Sequence, residues 1–218
     1  MIIQQFTFNP LGVNCYVVNG GQEYAAVIDC GCSNESEWQQ LRKYFAIDSL
    51  DIIHLLNTHL HFDHVWGNGY FTRDFHHKAK ALPGDRTLYS KMDEQIMSVM
   101  GMSIQHEPFP QLGAPLHEGE ELIFGCTTFS VIATPGHSPG SACFYSEKDG
   151  VLFSGDTLFR GSCGRTDLEG GSMEDMMKSL KLLSTLPDDT RVYCGHGPET
   201  TIGFEKQYNP YMVEAMRR

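Results

Sequence analysis

Apolar and β-branched positions along the chain gather into short runs bounded by turn residues, with stretches of helical spacing between them. Ile2–Phe8, Asn14–Val18 and Tyr24–Asp29 read as strands, and Gly20-Gly21 joins the second to the third as a hairpin, so a β-meander opens the chain. Asn34 with Glu37 three residues on predicts a helix start; Trp38, Leu41, Phe45 and Ile47 then follow at roughly helical spacing to about Ala46. Asp51–Asn57 is a continuous apolar strand (Ile52, Ile53, Leu55, Leu56), expected to be buried on both faces. It runs directly into Thr58-His59-Leu60-His61-Phe62-Asp63-His64.

Beyond that run the pattern predicts a helix near Val65–Phe71 and a second over Asp85–Met100 ending at Gly101, with Pro108, Pro110 and Pro115 marking a loop. Strands return at Glu121–Phe124, Thr128–Ala133, Ser141–Tyr145 and Val151–Ser154, before a helix over Met173–Leu186 and a strand at Arg191–Cys194. Two rounds of strands then helix, with no low-complexity segment or linker, predict an α+β chain forming one domain over 1–218. Helices would lie outside two packed sheets, giving a four-layer sandwich.

Composition narrows the partners. A chain of 218 residues buries a core without needing disulfides, and its formal net charge of -11 argues against a nucleic-acid or anionic-membrane surface. A small molecule is the expected partner, and the composition is compatible with a homo-oligomer. Seven cysteines without a C-x-x-C pair read as reduced thiols. The first residues lack a basic flank and an apolar core, and no apolar run approaches the ~20 residues of a bilayer span, so the cytoplasm is the expected compartment.

A divalent ion needs several imidazoles or carboxylates converging at about 2 Å, with a position left for water in a catalytic site. His59, His61, Asp63 and His64 offer four such groups within six residues. Residues two apart in an extended segment point the same way, so His59 and His61 can grip one ion while Asp63 and His64 turn toward a second. Three further candidates follow apolar strands beside glycines: His137 in Thr134-Pro135-Gly136-His137, Asp156 in Ser154-Gly155-Asp156, and His196 in Cys194-Gly195-His196-Gly197. Taken singly each is an ordinary turn residue; the set of seven points to a metal-dependent enzyme.

These motifs, H-x-H-x-D-H after a buried strand, then P-G-H, G-D and G-H in that order, resemble the metallo-β-lactamase superfamily over nearly the whole chain. The resemblance implies an αββα sandwich in which His59, His61 and His137 bind one metal, Asp63, His64 and His196 a second, and Asp156 bridges them. A hydroxide between the ions would be the nucleophile, with Asp63 as the catalytic carboxylate that orients it. Zinc is the first expectation, and the same ligands also accept iron or manganese.

An intact Asp156, where lactamases of the family usually carry Cys or Ser, points away from lactam hydrolysis. Ser154–Asp167, with the ending Gly195–Gly203 and Asn209-Pro210, is similar to short bacterial glyoxalase II proteins, the hydroxyacylglutathione hydrolases. That implies a small acyl thioester substrate, with Arg165 as its binding residue; pairing of Arg165 with Asp167 at the surface is the plainer alternative. Gly164-Arg165-Thr166-Asp167 also resembles persulfide dioxygenases, which bind one iron through residues matching His59, His137 and Asp156. His54, His76 and His77 are expected outside the site, His106 and His117 flank the proline loop that can border the cleft, and Met92, Ile96, Met97 and Met100 are expected as core.

Overall fold

The computed structural model describes all residues, 1–218. Its first sheet has the order β1 (Ile2–Phe8), β2 (Val13–Asn19), β3 (Tyr24–Ile28), β4 (Asp51–Leu56); β4 runs parallel to β3 and the other pairs are antiparallel. Between β3 and β4 lies α1 (Glu35–Ile47), and after β4 come α2 (Phe62–Val65), α3 (Asn68–Phe75), α4 (Arg86–Tyr89) and α5 (Met92–Met100). Sheet two is built from β5 (Glu121–Phe124), β6 (Thr127–Ala133), β7 (Ala142–Ser146), β8 (Val151–Gly155), β11 (Arg191–Cys194) and β12 (Thr200–Thr201), in the order β12-β11-β8-β7-β6-β5. A short ribbon of β9 (Leu158–Phe159) and β10 (Ser162–Cys163), then α6 (Met173–Leu183), separates β8 from β11; α7 (Ile202–Tyr208) and α8 (Pro210–Arg217) close the chain.

Strand periodicity explains the layers. In β2, Cys15 and Val17 face α1 and α3, packing with Trp38, Leu41, Phe45 and Phe71, while Tyr16 and Val18 point into the space between the sheets. Phe129, Phe144, Phe153 and Tyr193 of sheet two meet them there. Leu152 and Val192 project to the other side, against Met176 and Leu180 of α6 and Met212 of α8. The result is helix, sheet, sheet, helix, as the strand runs predicted. No helix is long and apolar enough to cross a membrane.

Local chemistry fixes several boundaries. Asn34 caps α1 by accepting from Glu37 N–H at 3.0 Å, and the Glu37 carboxylate accepts from Ser33 N–H and from Asn9 N–H, tying the β1–β2 turn to the helix start. The helix expected over Val65–Phe71 is two: α2 starts inside the histidine run, and the chain breaks at Gly67, whose N–H donates to Cys30 O at 2.7 Å. The helix expected over Asp85–Met100 is also broken, into a 3-10 turn at Pro83–Asp85, α4 and α5, because Asp85 spends its carboxylate on partners outside the helix. β4 is an edge strand, and Ile53 and His54 stay half-buried rather than buried on both faces. β12, α7 and α8 were not expected; Asn209 caps α8 by accepting from Tyr211 N–H and Met212 N–H, with Pro210 in the first turn.

Phe153 is nearly inaccessible and lies 5.2–5.4 Å, ring to ring, from Tyr16, Tyr193 and Phe129. Phe153→Ala is expected to lower unfolding free energy by about 3–5 kcal/mol, read from urea denaturation as a fall in midpoint at unchanged slope.

Candidate metal centre

All seven sequence candidates converge at one end of the sandwich. His59 and His61 leave the end of β4, Asp63 and His64 sit in the single turn of α2, His137 lies between β6 and β7, and Asp156 and His196 follow β8 and β11. Two backbone bonds bring the sheets together here: Ala142 N–H donates to Thr58 O and Asn14 N–H to Gly195 O, both at 2.7 Å.

Hydrogen bonds at the outer ring nitrogens decide which lone pairs face inward. His137 Nδ1 pairs with Arg165 O at 2.7 Å and leaves Nε2 inward, 2.8 Å from His61 Nδ1. His59 Nδ1 meets Thr58 Oγ1 at 3.1 Å, so its Nε2 is buried without a hydrogen-bond partner. His64 Nδ1 meets Asp29 Oδ2 at 2.9 Å, which directs its Nε2 to 3.4 Å from Asp156 Oδ1 and 3.3 Å from His196 Nε2. Asp63 Oδ2 lies 3.3 Å from His196 Nε2, and Asp156 Oδ2 lies 3.5 Å from His137 Nε2.

Donor atoms thus cluster as His59, His61 and His137 on one side and Asp63, His64 and His196 on the other, with Asp156 beside His59 and His64. A buried imidazole nitrogen and a buried carboxylate oxygen, Asp156 Oδ1, both lack partners, and two imidazole nitrogens face each other at hydrogen-bond distance. Uncompensated polar groups of this kind are costly inside a protein, and a divalent cation satisfies them together. The donor set therefore fits a metal centre.

The protonation states of His59, His61, Asp63 and Asp156 favour the same use. Burial holds His59 well below its ordinary value, helped by His64 and His61, and burial with His137 pushes His61 down to about 4. Burial opposes ionisation of Asp63 and Asp156, yet the neighbouring His64 with His196 outweighs it and holds both carboxyls below their usual range. Burial alone would lower His64, but Asp156, Asp63 and Asp29 raise it well above the usual imidazole value. His59 and His61 are thus held neutral and Asp63 and Asp156 ionised, the forms that ligate cations, whereas His64 joins a cation by releasing a proton.

Two residues that the sequence reading passed over hold this arrangement. Asp29, at the end of β3 with φ of 53°, accepts from Thr58 N–H at 2.8 Å and Thr58 Oγ1–H at 2.6 Å besides orienting His64. Asp85 accepts from Leu60 N–H at 3.0 Å, Ser138 Oγ–H at 2.7 Å and Gly140 N–H at 2.5 Å, joining the His59–His64 run to the His137 loop. Their signals were available: Asp29 ends an apolar strand as Asp156 does, and Asp85 closes a Pro-Gly-Asp turn. At Gly195 any side chain would collide with Asp156 Oδ1, which accounts for the glycine before His196.

A cavity of about 490 Å³ opens over the cluster, floored by His61, Asp63, His137 and Asp156. Arg165 lies on its rim, its guanidinium bidentate to Asp167 at 2.7 Å on both oxygens. His106 turns to Asp93 and Phe109, outside the cavity wall, His117 is exposed, and His54 packs on Phe124. Met92 and Ile96 are core while Met97 is exposed, and burial pushes the Cys163 thiol up to about 11. All seven cysteines are unpaired.

A family model for the metallo-beta-lactamase superfamily matches residues 8–196, an interval that contains all seven clustered residues. The chain belongs to the metallo-β-lactamase superfamily. Within this superfamily it is 32% identical to the hydroxyacylglutathione hydrolase GloC of Haemophilus influenzae, over 91% of this chain and 92% of that protein. The crystal structure of TTHA1623 in a di-iron-bound form superposes with a TM-score of 0.83 at 39% identity, covering 95% of this chain and 99% of that one. The BLEG-1 B3 metallo-beta-lactamase gives 0.85 at 33% identity, over 97% and 100%. ETHE1 from Myxococcus xanthus, at 0.77 and 24% identity over 100% and 91%, shares the superfamily fold. The expected four-layer sandwich is thus the fold of this metallo-hydrolase superfamily.

Asp29→Asn would present an amide hydrogen to one of three donors. It is expected to weaken divalent-metal affinity about 10–100-fold with circular dichroism unchanged, measured by competition with a chelator; unaltered affinity would show that His64 is oriented by something else.

Proposed function

We propose that the chain is a dinuclear metal-dependent hydrolase of a small acyl thioester. The observation that carries this reading is the pair of three-donor groups flanking an intact Asp156 beneath one cavity. In it, His59, His61 and His137 would hold one cation and Asp63, His64 and His196 the other, with Asp156 as a further carboxylate donor between the two groups. Zinc suits the imidazole and carboxylate donors, which accept iron or manganese as well; the di-iron form of TTHA1623 keeps iron in view.

When bound, two divalent cations polarise the acyl carbonyl and lower the pKa of water. Asp63, whose carboxylate is held ionised and reaches the cavity floor, accepts a hydrogen bond from the attacking water and then its proton. Water oxygen bonds to the acyl carbon, the carbon–sulfur bond breaks, and Asp63 passes the proton to the leaving sulfur, so the products are a carboxylic acid and a thiol. Arg165 on the rim offers its fork to a carbonyl or carboxylate of the substrate, exchanging Asp167 for it. Likeness to GloC supports a hydroxyacylglutathione-type thioester, and unpaired cysteines throughout support a reducing compartment such as the cytoplasm.

The reading of the chain as a persulfide dioxygenase needs one iron on His59, His137 and Asp156. The second donor group, Asp63, His64 and His196, is assembled and favours the hydrolase.

Protein purified without added metal is expected to carry about two ions per chain and to hydrolyse S-lactoylglutathione. Asp156→Ala is expected to lose about one ion and at least about 100-fold in kcat. Full metal content and rate in that variant would sink the two-metal mechanism. One iron with oxygen consumption on a persulfide would make the chain a dioxygenase, and faster turnover of a β-lactam than of the thioester would move it to the lactamases.

A further inference from the structure

One wall of the cavity is formed by α5 and the residue that starts it, Lys91. Lys91 Nζ lies 2.7 Å from Glu169 Oε1, a residue that reaches across from the loop after β10. Both side chains line the cavity above the seven-residue cluster. The cavity therefore presents two cations, Lys91 and Arg165, and each is paired with a carboxylate from one five-residue segment, Arg165–Glu169.

Such solvent-exposed pairs contribute little net stability, because long side chains give up freedom to hold them and water screens the charges. An arriving anion can therefore take the place of Glu169 at small cost. Lys91 is held where it is useful by its position at the start of α5, which Gln95 pins to α4 by donating to Leu88 O at 2.7 Å and to the histidine run by accepting from Phe62 N–H at 3.3 Å. Glu94, one turn on and on the same wall, keeps that side from being a general anion sink.

We infer that Lys91 is a specificity-determining residue that receives an anionic group on the thiol portion of the substrate, and that Glu169 is the internal carboxylate this group displaces. The inference rests on the thioester-hydrolase reading. A carboxylate-bearing thiol carrier spans the cavity from the donors to Lys91 and gains a charge-assisted contact there; an uncharged carrier leaves Lys91 with Glu169 and gains nothing.

The test compares metal-loaded wild-type, Lys91→Met and Glu169→Gln proteins on S-lactoylglutathione and on the uncharged S-lactoyl-N-acetylcysteamine, with glutathione binding measured by calorimetry. Lys91→Met is expected to lower the ratio of kcat/KM for the anionic over the uncharged thioester about three- to tenfold, through KM, and to weaken glutathione binding by a similar factor. Glu169→Gln is expected to raise that ratio about two- to threefold and to tighten glutathione binding, since it removes the competitor. A role confined to structure would move both thioesters together and would give no gain in Glu169→Gln. An unchanged ratio with unchanged glutathione binding in Lys91→Met overturns the assignment while leaving the hydrolase reading intact. Loss of glutathione binding in Lys91→Met, with neither thioester turned over by wild type, upholds Lys91 and overturns the hydrolase reading. Absence of both turnover and glutathione binding in wild type overturns both.

Discussion

Hydrogen bonds that cross from one sheet to the other at the open end of the sandwich set the distances on which the site depends. Ala142 N–H to Thr58 O and Asn14 N–H to Gly195 O are joined by Tyr16 Oη–H to Cys194 O at 2.6 Å and Asn14 Nδ2–H to Cys194 O at 3.0 Å. Sheet one supplies His59, His61, Asp63 and His64; sheet two supplies His137, Asp156 and His196. Neither donor group is complete on one sheet, because His137 completes the first and His196 the second. Any slip of one sheet against the other opens both groups at once, so packing of the aromatic layer between the sheets is also a condition on the chemistry. A cation bound across the seam would in turn stabilise the folded pairing of the sheets.

Concentrating five imidazoles and two carboxylates at a largely buried corner works against folding unless other contacts offset it. Asp29 shows where the offset is local: its buried carboxylate is satisfied by two donors from Thr58 and by His64, at a left-handed backbone angle that few aspartates adopt. Asp85 does the same between the two metal-facing loops. Each of these acids accepts three hydrogen bonds inside the protein, with both of its oxygens engaged. Asp156 does not, and its unmatched oxygen marks the difference between a carboxylate that organises the site and one aimed into it.

Much of this was legible because the same periodicity that builds the layers also delivers the donors. Apolar and β-branched runs announced β2, β3 and β8 as strands, and the polar residues at the strand ends stood out against them. His59–His64, His137, Asp156 and His196 could be read as a set for that reason. Helix boundaries were less legible where tertiary bonds override local pattern: Gly67 is drawn to the Cys30 carbonyl, and Asp85 to loops far away in sequence. The closing helices are short, seven and eight residues, and the sequence reading passed over their caps, Thr201 and Asn209-Pro210. Lys91 and Glu169 could not be paired from sequence at all, since their meeting depends on how α5 and the loop after β10 fold over the cavity.

That loop couples the rim of the cavity to its floor. The carbonyl of Arg165 fixes the ring of His137, while the guanidinium of the same residue pairs with Asp167 at the surface. Four residues on, Glu169 reaches the start of α5, and Gln95 links α5 to Leu60 and Phe62 within the histidine run. A closed path of contacts thus runs from His137 through the loop and α5 back to the neighbours of His61 and Asp63. A ligand that separates Lys91 from Glu169 breaks this path at its exposed pair, where little energy is stored, and leaves the buried bonds that hold the donors. The geometry lets the cavity wall adapt to a substrate while the centre beneath it keeps its shape.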